Sequence, residues 1–266
     1  MDDSRFSVSP AELRAKLGTA AAPVLVDVRR SAAFDEDDTM IAGAMRRDPS
    51  EVDRWKAALP RRPVVVYCVH GHEVSQSAAA ALRAAGFDAR YLQGGKAAWV
   101  EQGYPIRRKC VTTPSQWITR QRPKVDRVAC PWLIRRFIDP EALFLYVPSD
   151  RVLAQAKATG AIPYDIPGAE PFSHDGDSCS FDGFLKTFGL SDPALDRLAL
   201  IVRGADTGRL DLTPQSGGLL AISLGLSANH ADDDLGMLDH AMTLYDALYA
   251  WCRSLPGQPN DRKPDA

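Results

Sequence analysis

Residues 64–95 read VVVYCVHGHEVSQSAAAALRAAGFDARYLQGG, and this stretch decides the fold of the first part of the chain. It opens with VVVYCV (64–69) and closes near ARYL (89–92), short runs that are typical of strands in a buried parallel sheet. Between them, SQSAAAALRAAGF (75–87) is rich in strong helix formers and has Gly86 where a helix would end. The pattern predicts a right-handed strand–helix–strand unit.

On the N-terminal side of this stretch, the sequence predicts a second buried strand at VLVDVR (24–29) and a helix at SPAELRAKL (9–17). Ser9 and Glu12 have the spacing of a capping box, with proline at the first helical position. After residue 106 the sequence becomes polar and loses its periodicity. We therefore expect a first domain at 1–107 and a linker at 108–115.

The remainder of the chain predicts a second domain at 116–254, either mainly helical α/β or α+β. LFLYVP (143–148) has the pattern of a strand. Helical patterns occupy most of the rest of this domain, at 126–138, 151–160, 193–205, 215–226 and 234–255. Residues 255–266 contain almost no apolar side chains, so we expect a disordered tail there.

Composition excludes several classes of protein. Of the 266 residues, 45% are hydrophobic and 25% are charged, with a formal net charge of −2, as in a globular protein rather than a nucleic-acid binder. No apolar run reaches the length that crosses a membrane, and the first residues lack a secretory signal. We expect a cytoplasmic protein whose five cysteines are free thiols and which contacts neither membrane nor nucleic acid.

Cys68 is the candidate nucleophile of the first domain. It ends a predicted buried strand and precedes a predicted helix. A loop in that position collects unpaired backbone N–H groups and the positive end of the helix dipole, which bind anions and lower the pKa of a thiol. The alternative is a buried structural cysteine, since free cysteines are common in protein cores.

The second domain contains acidic, basic and histidine side chains in separate segments. We expect a polar site that includes Asp126, Arg127 and Arg203, with a divalent metal bound by His174, Asp206 and His240. One alternative is a purely structural network of arginines and aspartates. For the cationic side chains of 120–136, the alternatives are an oxyanion site and a solvated basic face.

The first hundred residues resemble single-domain rhodanese sulfurtransferases. The resemblance is carried by Asp27 and Arg29, by IAGA (41–44), by the cysteine loop, and by GG (94–95) with Trp99. It implies a rhodanese-like parallel sheet with flanking helices, in which Asp27 and Arg29 are structural polar residues. It also implies a sulfurtransferase that carries a persulfide on Cys68 and passes sulfur from a sulfane donor to a thiol or cyanide. The residues implied as the cradle for sulfur and leaving anion are Val69, His70, Gly71, His72 and Glu73.

Glu73 departs from the rhodanese pattern, because many loops of that family end in arginine or a small polar residue. A carboxylate at this position is expected to disfavour a dianionic donor such as thiosulfate. His70 and His72 are an alternative pair of metal ligands, although two histidines at this spacing more often face solvent.

Nearly all of residues 116–254 is similar to the C-terminal domain of chromate resistance proteins of the ChrB type. WITRQRPKVDRVACPWLIRRFID (117–139), FSHDGDSCSFD (172–182) and IVRGADTGRLDL (201–212) carry much of the similarity. It implies a role in chromate resistance, with chromate, another oxyanion or a metal as ligand. The combined prediction is a sulfurtransferase coupled to this domain. The alternatives are a chromate- or redox-responsive sensor without turnover and, last, direct chromate reduction.

Overall fold

The computed structural model describes residues 5–255, which form two compact units. The first unit contains the described part of 1–116 together with 133–143 and 186–190, and the second contains 117–132, 144–185 and 191–255. Apart from Leu255, the predicted tail at 255–266 lies outside the described residues. The parallel sheet with helices in the first unit and the mostly helical second part confirm the predicted fold class.

A five-stranded sheet forms the centre of the first unit, in the order β1-β6-β5-β2-β4. Every pairing in it is parallel. Its strands are β1 (Ser7–Val8), β2 (Val24–Asp27), β4 (Ala44–Arg46), β5 (Val64–Tyr67) and β6 (Ala89–Leu92). A separate antiparallel pair joins β3 (Thr39–Ile41) to β7 (Ile106–Arg108), so Arg108, expected in the linker, belongs to a strand.

Five helices accompany these strands: α1 (Pro10–Lys16), α2 (Ser31–Asp35), α3 (Val52–Trp55), α4 (Glu73–Ala84) and α5 (Gly95–Glu101). The predicted capping box is present at α1, where the Glu12 amide donates to the Ser9 hydroxyl at 3.2 Å and the Ser9 amide donates to the Glu12 carboxylate at 2.8 Å. The predicted strand–helix–strand unit is β5, α4 and β6, and Gly86 follows α4 with a φ of 84°.

The sheet places two polar loops side by side. β2 pairs with β5 in parallel, with Asp27 opposite Tyr67, so the carboxyl ends of both strands lie at one edge. Both strands end earlier than predicted, at Asp27 and Tyr67 rather than at residues 29 and 69. Cys68 therefore lies in the loop and not in the strand, because its backbone bonds to α5 instead of to the sheet.

The second unit contains a small sheet and most of the remaining helices. Its strands are ordered β10 (Ile162–Pro163), β8 (Gln116–Arg120) and β9 (Leu143–Val147), with β10 and β8 parallel. The helices after β8 are α6 (Val125–Leu133), α7 (Val152–Thr159), α8 (Ser180–Phe188), α9 (Pro193–Asp206), α10 (Ser216–Asn229) and α11 (Asp234–Ser254). β8 was not predicted. The predicted helix at 126–138 is divided, since a π-helical turn at Ile134–Ile138 follows α6.

Aromatic side chains fill much of the core of the second unit. Trp117 packs edge-on against Phe172, with the ring centroids 5.1 Å apart, and Trp132 lies 5.6 Å from Tyr249. These rings are buried, and they hold strand β8 and helix α6 in place beside the other helices. Within residues 5–255, no helix combines the length and the apolar character needed to cross a membrane.

Candidate functional site

The Cys68 loop, residues 68–72, connects the carboxyl end of β5 to the N-terminus of α4. Its backbone is anchored by helix α5, because the Lys96 amide donates to the Cys68 carbonyl and the Ala97 amide donates to the Val69 carbonyl, both at 2.9 Å. Two carbonyl groups of the loop thus accept hydrogen bonds from α5. Backbone N–H groups of the loop remain available at the sulfur.

Two glycines permit this close approach. Gly71 and Gly95 have φ values of 70° and 59°, in the left-handed region that favours glycine. A Cβ atom added to Gly95 would lie 2.5 Å from the Cys68 carbonyl oxygen and 2.5 Å from the Gly71 amide nitrogen. Gly95, the second residue of the GG pair, is therefore required for packing against the Cys68 loop.

The Cys68 thiol is buried, with 7% of the residue exposed, and it is hydrogen bonded. Its Sγ lies 3.3 Å from the Ser75 hydroxyl oxygen. Burial alone would raise the pKa of the thiol, but hydrogen bonds from the Ser75 hydroxyl and from the backbone amides of Ser75, His72 and His70 outweigh it and lower the pKa. The loop therefore stabilises a thiolate, which is the nucleophilic form of cysteine.

Asp27 and Arg29 form a buried ion pair at the end of β2. The Arg29 guanidinium donates from Nε and Nη2 to the Asp27 carboxylate, at 3.0 and 2.7 Å, and from Nη1 to Asp37 at 2.8 Å. The Tyr67 hydroxyl donates to Asp27 at 2.9 Å and accepts from the Ile41 amide at 3.1 Å. This network connects β2, β3 and the end of β5, so it supports the strand that precedes the Cys68 loop.

Three predicted members of the cradle have exposed side chains, while Val69 is half-buried. His70, His72 and Glu73 are exposed, and the two imidazole rings lie 6.0 Å apart. Glu73 is the first residue of α4 and lines a cavity of about 560 Å³ together with Arg30 and other residues, but Cys68 is not in that lining. The Glu73 carboxylate thus faces a depression beside the Cys68 loop.

A second constellation lies wholly within the second unit. The Asp/His group, defined as Asp126, Asp165, His174 and Asp206, brings one potential ligand atom from each residue within 4.8 Å of the others. The His174 Nε2 atom is 3.0 Å from Asp206 Oδ2, 3.3 Å from Asp165 Oδ1 and 3.8 Å from Asp126 Oδ2. Four separate segments supply these side chains.

The ends of secondary-structure elements position the Asp/His group. Asp126 is in the first turn of α6, Asp206 is the last residue of α9, and His174 lies in the loop before α8. Asp165 follows β10 and has a φ of 51°. The N-terminus of α8 completes the arrangement, because the amides of Ser180 and Phe181 donate to Asp126 Oδ2 at 2.5 and 3.3 Å.

The carboxylates of the Asp/His group have different electrostatic environments. Burial raises the pKa of Asp126 well above its usual range, and the neighbouring Asp206 and Asp165 raise it further. Burial also opposes ionisation of Asp165, but hydrogen bonds from His174 and Ser180 and the nearby arginines outweigh it, so the pKa of Asp165 is lowered. Hydrogen bonds to Asp165 and Asp206 raise the pKa of His174 to about 10.

Two arginines hold Asp165. Arg127 Nε and Arg120 Nη2 lie 3.2 and 3.1 Å from Asp165 Oδ2, and the Ser180 hydroxyl donates to Asp165 Oδ1 at 2.9 Å. Asp165 was missed by the sequence analysis. Its position depends on the parallel pairing of β10 with β8, because Asp165 follows one strand and Arg120 ends the other, and neither strand was predicted.

The structure brings Asp126, Arg127, His174 and Asp206 together and places the other two residues of the expected polar site, Arg203 and His240, elsewhere. Arg203 forms a two-pronged ion pair with Asp182, with distances of 2.9 and 2.7 Å. His240 is exposed on α11, with its Nδ1 atom 2.8 Å from the Gly236 carbonyl oxygen. It lies on the side of the helix away from the buried Leu238, Met242 and Tyr245, and it is not a member of the Asp/His group.

Both parts of the chain match known protein families. A family model described as ChrB, C-terminal domain, matches residues 117–252. The chain belongs to this family. Its ChrB C-terminal domain contains the whole Asp/His group. A rhodanese-like domain model matches residues 9–102, which include the Cys68 loop. Both family resemblances predicted from the sequence are confirmed.

One curated relative shares the ChrB domain. Protein ChrB of Cupriavidus metallidurans is 41% identical over 135 residues. The matched region is 50% of this chain and 40% of that protein, so the chain spans less than half the length of this relative.

Solved structures are similar to the first part of the chain. A rhodanese-related protein from Thermoplasma volcanium is 28% identical, with a TM-score of 0.34, and the match covers 38% of this chain and 96% of that protein. A rhodanese-like domain protein from Staphylococcus aureus is 24% identical, with a TM-score of 0.32, and the match covers 35% of this chain and 90% of that protein.

Proposed function

We propose that this protein is a cytoplasmic sulfurtransferase of the rhodanese type, in which Cys68 carries sulfane sulfur as a persulfide. The geometry of the Cys68 loop is the observation that carries this proposal. A thiol with a lowered pKa lies 3.3 Å from the Ser75 hydroxyl, at the N-terminus of a 12-residue helix. Such a loop stabilises both the attacking thiolate and the negative charge that a persulfide retains.

The reaction takes place in two displacement steps without net oxidation. The Cys68 thiolate attacks the outer sulfur of the donor and forms a new S–S bond, while the bond between that sulfur and the donor breaks and the leaving group takes the electron pair. A thiolate or cyanide acceptor then attacks the terminal sulfur of the persulfide. The Cys68 thiolate leaves and is ready for a second donor.

Charge beside the loop bears on the choice of donor. Glu73 is exposed at the start of α4, and its carboxylate repels a dianion such as thiosulfate more than it repels a persulfide on a small thiol. The proposed donor is therefore a thiol-bound sulfane sulfur, with a thiol or cyanide as acceptor.

The proposed role of the second domain is in chromate resistance. The family match over 117–252 and the similarity to Protein ChrB support this role. In the proposal this domain binds a metal or an oxyanion and works alongside the sulfur chemistry of the first domain.

A sensor is the competing function, and the burial of Cys68 favours it. Only 7% of the residue is exposed, and the cavity beside α4 does not include it. In this alternative Cys68 is modified once by sulfane sulfur or an oxidant, and the modification changes the state of the protein without turnover.

Intact-mass measurement tests the proposed sulfur carrier. After incubation with a sulfane donor and removal of the excess, the mass of the parent protein is expected to rise by one sulfur atom. Cys68→Ser is expected to show no gain, while Cys110→Ser, which changes an exposed cysteine, is expected to label like the parent. Full labelling and transfer by Cys68→Ser would contradict the assignment.

A further inference from the structure

We propose that the Asp/His group binds one divalent first-row transition-metal cation, with Asp126, Asp165, His174 and Asp206 as its ligands. This inference rests on the metal-binding part of the proposed function and makes it specific. It replaces His240 of the sequence prediction with Asp165, and it selects a cation over an oxyanion. It does not depend on the chemistry of Cys68.

The spacing of the ligand atoms fits a metal ion. Zinc-to-ligand distances of about 2.1 Å in a tetrahedral site place the ligand atoms roughly 3.4 Å from one another. The distances from His174 Nε2 to the three carboxylates, 3.0, 3.3 and 3.8 Å, lie on both sides of that value. All four ligand atoms lie within 4.8 Å of one another, so one cation can lie among them once the carboxylates move towards it.

A buried oxygen without a hydrogen-bond partner is a second, independent observation that favours a cation. Asp126 has no exposed surface, and among the described residues its Oδ1 atom has no hydrogen-bond partner. Its Oδ2 atom accepts hydrogen bonds from two backbone amides, so the amides of α8 serve only one of the two oxygens. A buried carboxylate is stabilised when it is paired or coordinates a metal, and a cation in the Asp/His group would supply this partner.

Arg120 and Arg127 do not fill that role, because both contact Asp165. They act as positioning residues that hold the Asp165 carboxylate at the Asp/His group. The His174 side chain is 42% exposed and that of Asp206 is 17% exposed, so the group opens to solvent on their side. For a cation that takes more than four ligands, such as Mn²⁺, water molecules from this side are expected to complete the coordination.

The chemistry of the four side chains determines which class of ion the Asp/His group binds. Three carboxylates repel an oxyanion such as chromate, and they offer hard oxygen atoms to a cation. The imidazole nitrogen adds preference for a transition metal over Mg²⁺ or Ca²⁺. A site with three oxygens and one nitrogen therefore suits Mn²⁺, Fe²⁺ or Zn²⁺.

Metal content of the full chain tests the proposal. Chelator-treated protein is dialysed against Mn²⁺ or against Zn²⁺, and then against metal-free buffer. The metal that the protein retains is measured by elemental mass spectrometry. The parent is expected to hold about one equivalent of one of these cations, and Asp206→Asn and His174→Ala are expected to hold less than a tenth of that amount. His240→Ala, which changes an exposed histidine outside the Asp/His group, is expected to match the parent.

A purely structural network of charged side chains, without a metal, would give a different result. If the parent retains neither cation, or if Asp206→Asn and His174→Ala retain as much as the parent, the proposal is overturned. Thermal unfolding separates loss of the site from loss of the fold, since metal is expected to raise the unfolding temperature of the parent and of His240→Ala but not that of Asp206→Asn. Sulfur transfer and metal content are measured in the same preparations. If the protein transfers sulfur but binds no metal, only the proposed metal site is overturned. Metal binding without sulfur labelling would remove the proposed sulfurtransferase alone.

Discussion

Ser75 is the side chain that contacts the sulfur of Cys68, and its hydroxyl has a single proton to donate. The hydroxyl lies 3.3 Å from Cys68 Sγ and 3.1 Å from the His72 carbonyl oxygen. When Cys68 is ionised, donation to the sulfur stabilises the thiolate, which is the form that attacks a sulfane donor. Ser75 is therefore a positioning and electrostatic partner of the nucleophile.

We expect Ser75→Ala to raise the pKa of the Cys68 thiol, because it removes the hydroxyl that hydrogen bonds to the sulfur. A hydrogen bond to a charged group contributes about 1.5–3 kcal/mol. The pH at which alkylation of Cys68 is half-maximal should move upward, and sulfur transfer at neutral pH should fall. Alkylation rates followed by mass across a pH series measure this shift.

Ser77→Ala provides the matched control, because Ser77 is an exposed serine on the same helix. It should leave the alkylation midpoint of Cys68 where the parent has it. Equal midpoints for Ser75→Ala and the parent would mean that the backbone amides alone set the pKa of the thiol.

Individual site residues were predictable to different degrees. Cys68 was predictable because its loop follows directly from the local sequence pattern. Asp165 was not, since its place in the Asp/His group depends on the pairing of β10 with β8, two elements that are far apart in the sequence. Arg203 was predicted at the polar site but pairs with Asp182, a choice that only the three-dimensional arrangement fixes.

Among the secondary-structure elements, helix α5 packs directly against the backbone of the Cys68 loop. Gly95 allows the start of α5 to contact the backbone of the loop, and a Cβ atom there would overlap with backbone atoms of Cys68, Val69 and Gly71. The shape of the cradle therefore depends on a residue outside it.

Gly95→Ala is expected to lower both stability and Cys68 reactivity. Alanine in the left-handed region costs about 1–2 kcal/mol, and overpacking against rigid backbone adds roughly 1–3 kcal/mol. Gly103→Ala is the control, because Gly103 also has a positive φ of 65° but a Cβ atom there meets nothing within 4 Å. Thermal unfolding should show a larger decrease for Gly95→Ala. A change in Cys68 alkylation should appear only in that variant, and equal effects of the two substitutions would contradict the packing argument.

Elements with strong local signals were predicted well. The capping box fixed the start of α1, and the alanine-rich run predicted most of α4. Helix α11 was also predicted, but the prediction of a metal-binding His240 ignored which face of that helix is buried. Burial of a helix face is decided by tertiary packing, which the sequence pattern alone does not determine.

At the scale of the whole molecule, each proposed site is completed within its own unit. The Cys68 loop lies in the first unit, and the Asp/His group lies in the second. The two-part organisation was visible in the sequence, yet the first unit also contains residues 133–143 and 186–190, which follow the predicted linker. This grouping depends on contacts between segments that are distant in the sequence. Local hydrophobic periodicity does not predict such contacts.

Turnover is the most direct test of the central claim that the protein is a sulfurtransferase working through Cys68. The measurement is the amount of thiocyanate formed per protein chain when a polysulfide donor and cyanide are both in excess. We expect the parent to form many equivalents of thiocyanate at a steady rate, and Cys68→Ser to form none above background. One equivalent or less from a parent protein whose Cys68 is fully labelled would contradict it and identify the first domain as a sensor.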